Sequence, residues 1–277
     1  MGDEIRCHVC PRRCSIKPGG RGFCRARTVR DGAVVSENYG RITSMALDPV
    51  EKKPLAMFRR GSLILSVGSY GCNIDCPFCQ NHEISRADDG CPYRIYLPKE
   101  MADIAWQTHL KHGNIGVAFT YNEPLVGYEF VRDTAKKVSE MGLVNVLVSN
   151  GQASLDVLGE ILPYIDAMNI DLKAFTPEGY RRLGGDLDTV KEWISHAHDS
   201  CHMEITSLIV PGLNDDPDDM DREAQWIASL DDSIPLHITR FFPRYRYTTG
   251  EPTDIGLMYE LREVAEKYLK NVFLGNI

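Results

Sequence analysis

From Ser62 onward the chain alternates between two textures, and this alternation constrains the fold more than any other feature. Short apolar runs (SLILSV, 62–67; NIGVAF, 114–119; LVNVLVS, 143–149; AMNIDL, 167–172; HMEITSLIV, 202–210; IPLHITR, 234–240) are each followed by a segment with helical spacing. Those segments are PKEMADIAWQTHLKHG, EFVRDTAKKVSEMG, LDVLGEILPYI, TVKEWISHAHDS, DREAQWIASL and IGLMYELREVAEKYL. Six β-then-α units in succession predict a parallel sheet with crossover helices, either closed toward a barrel or open and doubly wound. The final KNVFLGNI reads as one more strand. Residues 1–60 differ: they are rich in Cys, Arg, Gly and Pro with no sustained period, as expected of a loop-rich cap that needs a metal to hold it. The domain division is therefore 1–60 and 61–277.

The formal charge of −8 disfavours a surface built for many phosphate contacts, so nucleic acid is an unlikely partner. No apolar run reaches the length of a membrane span, and the N-terminus has no apolar stretch of the kind that leads a secreted chain, so a cytoplasmic protein is expected. In that compartment nine cysteines stay reduced, and two tight clusters read as metal ligands. Cys91 and Cys201 are left over as structural thiols.

Cys72, Cys76 and Cys79 fall within GCNIDCPFCQN, directly after the first apolar run. In a parallel α/β sheet ligands bind beyond the carboxyl ends of the strands, so function is expected there. Three thiolates match three irons of a [4Fe–4S] cluster and leave the fourth open to a chelating small molecule. The alternative is a zinc site completed by His82 or Cys91. Cys7, Cys10, Cys14 and Cys24 supply four thiols, enough to close a zinc site or hold a second iron–sulfur cluster; spacing does not separate the two.

The C-x3-C-x2-C spacing with Phe78 before the third cysteine resembles the signature of radical S-adenosylmethionine (SAM) enzymes, and the resemblance extends along the chain. It implies a partial (βα)6 TIM barrel of the radical SAM type, a [4Fe–4S] cluster on Cys72, Cys76 and Cys79, and SAM on the open iron. YNEP places Asn122 and Glu123 where the family carries its GGE-type motif, with Glu123 matching the group that accepts from the SAM ammonium. SNG places Ser149, Asn150 and Gly151 near the ribose and carboxylate. IDLKAF matches the DLK motif of pyruvate formate-lyase activating enzymes through Asp171 and Lys173. IVPGLNDD matches their VVPG segment through Ile209, Val210, Pro211, Gly212 and Asn214. Val148 and Thr206 stand where those enzymes carry a carboxylate and an arginine. Over almost its whole length the chain is similar to the radical SAM proteins of the AmmeMemoRadiSam system, many of which continue past the terminal GN into a cysteine-bearing tail.

The resemblance implies reductive cleavage of SAM to a 5′-deoxyadenosyl radical, an electron donor such as ferredoxin or flavodoxin, and a protein or peptide substrate. A small molecule or tRNA is the alternative substrate; an electron carrier or a zinc-stapled binding module is the non-enzymatic alternative. Other segments carry two readings each. Arg12, Arg13, Lys17, Arg21, Arg25 and Arg27 form a solvated basic face or a docking surface. Asp48, Glu51, Lys52 and Lys53 form a solvated mixed-charge surface, or, on the resemblance, line the site. His237 is a satisfied core histidine or faces the site. Arg240, Tyr245 and Arg246 clamp a carboxylate or form an ordinary loop.

Overall fold

A computed structural model describes residues 4–277. Seven parallel strands lie side by side in chain order: Leu63–Gly68, Gly116–Phe119, Val144–Ser149, Ala167–Asp171, His202–Ile209, Leu236–Arg240 and Val272–Gly275. All six apolar runs and the terminal segment contain one of them. The two outermost strands of the sheet do not pair with each other, so the structure is a partial barrel with a lateral gap. Helices Pro98–His112, Tyr128–Glu140, Leu155–Ile161, Leu187–Ala197, Pro217–Leu230 and Ile255–Ala265 form the crossovers, joined by a short helix, Pro177–Leu183, that periodicity did not single out. None of the described helices is long and apolar enough to cross a membrane.

An eighth strand, Ser44–Pro49, runs antiparallel against Leu63–Gly68 at the sheet's edge. It lies before the boundary drawn at residue 60, so residues 44–60 belong to the barrel rather than to the cap. Its charged continuation, DPVEKKP, masked it, and Pro49 is tolerated because an edge strand need not donate on its free side.

Alternation along the strands sorts the core into two layers. Leu65, Val67, Val117, Phe119, Leu147, Met168 and Ile205 face outward onto the helices. Ile64, Ala118, Val144, Val146 and Ala167 face inward, where fully buried Val50 and Leu55 pack on them. Residues 50–58 thus plug the amino-terminal end of the barrel, each fully buried aliphatic stabilising by about 1.5–3 kcal/mol. Toward the carboxyl ends the inward positions turn polar, with Thr120, Asp171, Thr206 and Thr239 lining a cavity. The cap contributes hairpins Ile5–Arg6/Ser15–Ile16 and Arg27–Arg30/Ala33–Ser36 over a small core of Cys7, Ile16 and Val29. The second turns through Asp31 and Gly32, both at positive φ as tight hairpins require.

Candidate functional site

The cavity at the carboxyl ends has a volume of about 1170 Å³. Cys72, Cys76, Phe78, Cys79, Asn122, Glu123, Ser149, Asn150, Asp171, Lys173 and His237 all line it. Gly151, Val210, Gly212 and Asn214 do not: Val210 packs in one cluster with Cys76 and Phe78, Asn214 is buried, and Gly212 is exposed. Asn214 ties its own turn, accepting from Val210 N at 2.8 Å and donating to Leu208 O at 3.0 Å. Gly151 has φ +64, and a Cβ there would stand 2.7 Å from Val190 Cγ2, so no side chain fits.

The cysteine loop leaves the first strand through Gly71, whose φ of +94 admits no ordinary side chain. Cys79 N donates to Cys76 O at 3.2 Å, closing a turn that sets two thiols close in the chain. Asn150 Nδ2 donates to Cys72 Sγ at 3.7 Å, and Cys79 Sγ lies 3.2 Å from Ser85 Oγ. Burial pushes the Cys76 thiol up to about 11 and Cys72 well above its ordinary value. Desolvated thiolates of this kind are stabilised by a bound metal, which supplies the missing positive charge.

Both candidate fourth ligands are engaged elsewhere. His82 Nδ1 is 3.3 Å from Cys79 O and its ring stacks on Tyr245 at 4.3 Å. Cys91 packs in a separate cluster around Cys24 and Tyr70. Among the described residues no three His, Cys, Asp or Glu side chains are grouped so as to hold a single metal ion. A four-iron cluster spaces its sulfurs more widely than one ion does, and three cavity-lining thiols without a fourth protein ligand fit such a cluster with one open iron.

Around the loop, polar groups fix one another. Asn122 spends its amide on the loop backbone, accepting from Ser69 N at 2.9 Å and donating to Gly71 O at 3.1 Å. Glu123 is buried and accepts from Ser149 Oγ (2.8 Å), Asn150 N (2.8 Å) and Leu125 N (3.0 Å). Burial nevertheless pushes its carboxyl up to about 7, against the pull of these three donors. Lys173 Nζ donates to Asp171 Oδ2 at 2.9 Å. Burial works against the Lys173 charge, but Asp171 overrides it and holds the ammonium.

His237 meets both descriptions drawn from the sequence: it lines the cavity, and its Nε2 is satisfied, 2.5 Å from Glu204 Oε2. Glu204 was missed, although a lone carboxylate in the apolar run HMEITSLIV was a visible signal. It is fully buried and also accepts from His202 Nε2 (2.8 Å), Ala56 N and Met57 N (2.9 Å each), anchoring the plug to the barrel.

The DPVEKKP charges line the cavity. Lys53, 3% exposed, donates to Asp48 Oδ2 at 2.9 Å, and Tyr121 OH donates to the same oxygen at 3.0 Å. Burial would raise the Asp48 carboxyl, but Lys53 brings it down to about 2. Tyr121 adopts φ 72, a left-handed conformation rare for an aromatic residue. A Cβ at Gly68 would stand 2.9 Å from the Tyr121 ring, so Gly68 makes its room.

Of the basic face, Arg27 is buried and Arg12 half-buried, while Arg13, Lys17, Arg21 and Arg25 stay exposed. Arg27 forms a two-pronged pair with Glu129 at 2.6 and 2.7 Å, Arg21 pairs with Glu37 at 2.6 Å, and Arg12 and Arg25 donate to main-chain carbonyls. Arg240 Nε is fixed to Thr253 O at 2.7 Å, and Arg246 pairs with Asp75 of the cysteine loop at 2.6 Å. In the cap, Cys7 N donates to Cys14 O at 2.9 Å and Phe23 N to Cys14 Sγ at 3.5 Å. Burial pushes the Cys10 thiol up to about 11, with Cys24, Cys7 and Cys14 acting in the same direction.

Comparison with known proteins agrees with this geometry. The model of the Radical SAM superfamily matches residues 66–224. An uncharacterized protein of Methanocaldococcus jannaschii is 38% identical over 280 residues, covering 99% of this chain and 82% of that one. Pyruvate formate-lyase 1-activating enzyme of Escherichia coli is 26% identical over 157 residues, 55% of this chain and 63% of that one. A domain of pyruvate-formate lyase-activating enzyme from Bacteroides vulgatus superposes with a TM-score of 0.52 at 18% identity, covering 58% of this chain and 99% of that one. Streptococcus suis SuiB bound to S-adenosylmethionine superposes with a TM-score of 0.57 at 13% identity, over 75% of this chain and 48% of that one. A parallel partial barrel with a three-cysteine loop beyond its first strand, and a family match over more than half of its length, place the chain in the radical SAM superfamily.

Proposed function

We propose that the chain modifies a polypeptide by hydrogen abstraction, with Cys72, Cys76 and Cys79 holding the [4Fe–4S] cluster and Glu123, Ser149, Asn150, Asp171 and Lys173 receiving SAM. The observation that carries this reading is the set of three cavity-lining thiols, Cys76 buried and Cys72 and Cys79 partly so, with no fourth His, Cys, Asp or Glu beside them among the described residues, ringed by a fixed carboxylate and a fixed ammonium. When bound, the reduced cluster and SAM supply the 5′-deoxyadenosyl radical that removes a hydrogen atom from substrate.

The chain's own residues bind and orient. Glu123 accepts the SAM ammonium, and its second oxygen, bonded only to Asn150 N, has room for that donor. The Lys173 ammonium pairs with the SAM carboxylate while Asp171 keeps it charged. Asn150 holds Cys72, and Asn122 holds the loop backbone, so the ligand set is preorganised rather than gathered on binding. Gly151, Val210, Gly212 and Asn214 belong to the turns that flank the adenosine.

A polypeptide substrate is supported by the similarity to pyruvate formate-lyase activating enzymes and by a wide cavity lined by both unpaired edge strands, through Asp48 on one side and Phe273 to Gly275 on the other. The partner supplying electrons is a ferredoxin or flavodoxin, and the reaction is cytoplasmic. Cys7, Cys10, Cys14 and Cys24 hold zinc or a second cluster; in support, Cys7 and Cys24 are buried, Cys7 N donates to Cys14 O, and Cys24, Cys7 and Cys14 all act on the Cys10 thiol, although the four side chains as they stand do not close on a single ion. The test is anaerobic reconstitution with iron and sulfide, reduction with dithionite and addition of SAM. The wild type forms 5′-deoxyadenosine and Cys76→Ala forms none; a chain that takes up only zinc and leaves SAM intact refutes the reading.

A further inference from the structure

The cap reaches the cysteine loop through side chains that sit between its own cysteines. Arg12, between Cys10 and Cys14, donates from Nε to Asn73 O at 2.7 Å and from Nη2 to Gly184 O at 2.6 Å. Its guanidinium carbon lies 3.5 Å from the ring centroid of Phe23, the residue before Cys24. Arg86 approaches the same ring at 4.8 Å and donates to Cys72 O at 3.4 Å and Ile74 O at 3.3 Å. Three consecutive carbonyls, those of Cys72, Asn73 and Ile74, therefore take their donors from two guanidinium groups packed on one phenylalanine ring. Gly71 completes the fit, because a Cβ there would stand 2.6 Å from Cys24 O.

We propose that Arg12 and Phe23 are positioning residues for the cluster loop, which makes the cap a working part of the radical SAM site rather than a separate staple. This rests on the reading of Cys72, Cys76 and Cys79 as cluster ligands. The physical case has two parts. A loop that presents three sulfurs to one cluster must hold its backbone still, and these carbonyls have guanidinium groups in place of a strand or helix partner. Two positive charges beside thiolate ligands also favour the more negative, reduced cluster. Arg12 lies in the turn closed by Arg13 N and Cys10 O at 3.1 Å, so whatever grips Cys10 and Cys14 also grips Arg12.

The experiment uses the full reconstituted chain and compares wild type with Arg12→Gln, which removes charge and fork, and Phe23→Leu, which keeps bulk and removes the ring. Hydrogen exchange over residues 71–79 should quicken by about tenfold in both while the barrel strands keep their protection. Cys10→Ser should reproduce that pattern. The cluster potential should move more negative in Arg12→Gln, and 5′-deoxyadenosine formation should fall by about tenfold in both. Unchanged exchange over 71–79 together with an unchanged potential in folded variants would overturn the proposal. If Arg12→Gln does not fold, Phe23→Leu decides by exchange alone. A wild type that never forms a SAM-responsive cluster defeats the ligand reading instead, which the exchange comparison does not depend on.

Discussion

Replacing Glu204 with glutamine puts an amide nitrogen where every neighbour is a donor. Oε1 accepts from Met57 N (2.9 Å) and His202 Nε2 (2.8 Å), and Oε2 from Ala56 N (2.9 Å) and His237 Nε2 (2.5 Å). An imidazole can change tautomer to accept from the new NH2 group, but a backbone N–H cannot. Either orientation of the amide therefore sets it against one main-chain donor and leaves that donor unmet in a fully buried place. An orphaned buried donor costs about 1–3 kcal/mol, and loss of charge assistance in the remaining bonds brings the sum to about 3 kcal/mol. At about 2–4 °C per kcal/mol for a domain of this class, the midpoint of thermal unfolding should fall by about 6–12 °C, read by circular dichroism near neutral pH. The pH dependence carries a sign. Burial resists the Glu204 charge, but His202 and His237 bring the carboxyl down to about 2 from its ordinary 4.5. A depressed acid contributes fully above the unfolded value and loses that contribution as pH falls toward the folded one. The gap between wild type and Glu204→Gln should thus narrow between 4.5 and about 2. Equal midpoints near neutrality, or a gap that widens on acidification, would refute the reasoning.

Two further outcomes follow from the cavity. Because burial holds the Glu123 proton up to about 7, this residue favours the folded state less as pH rises from 4.5 through that value, while its ionised form, the one that attracts an ammonium, becomes populated. SAM affinity measured calorimetrically should rise through that window in wild type and stay flat in Glu123→Gln; a flat wild-type profile removes Glu123 from the SAM site. Lys53→Met should let the Asp48 carboxyl climb from about 2 toward the ordinary carboxylate range, followed by carbon NMR titration. An unmoved Asp48 would assign its depression to Tyr121 and the other neighbouring donors instead.

The cysteine spacing and the β-then-α rhythm were legible because both are local: three thiols in eight residues need no tertiary information, and a strand buried on both faces reads as an apolar run. Residues whose meaning depends on distant partners were harder to read. His237 carried two readings in the sequence and satisfies both, because the strand that holds it also brings it beside Glu204. Val210, Gly212 and Asn214 fall on a segment matched to cofactor contact; in the structure they stand outside the cavity lining, and Asn214 closes a turn on itself. The basic residues of the cap read as a face because they cluster in the chain, and four of the six do stay exposed; pairing to Glu129 and to a loop carbonyl turns Arg27 and Arg12 inward.

The sequence alone determined the parallel sheet and the place of the three-cysteine loop beyond the first strand, since both are written in residue type and spacing; the sequential strand order and the roles of the acidic and basic residues at the strand ends came with the family resemblance, and the structure shows that order. Only the tertiary structure decided that Ser44–Pro49 joins the sheet, that residues 50–58 plug the barrel, and that Asp48, Lys53 and Tyr121 meet in the cavity. It also set Arg12 and Phe23 against the backbone of the cluster loop. Hydrogen bonds and packing across a hundred or more residues of chain depend on how the barrel closes, and no local pattern records that closure.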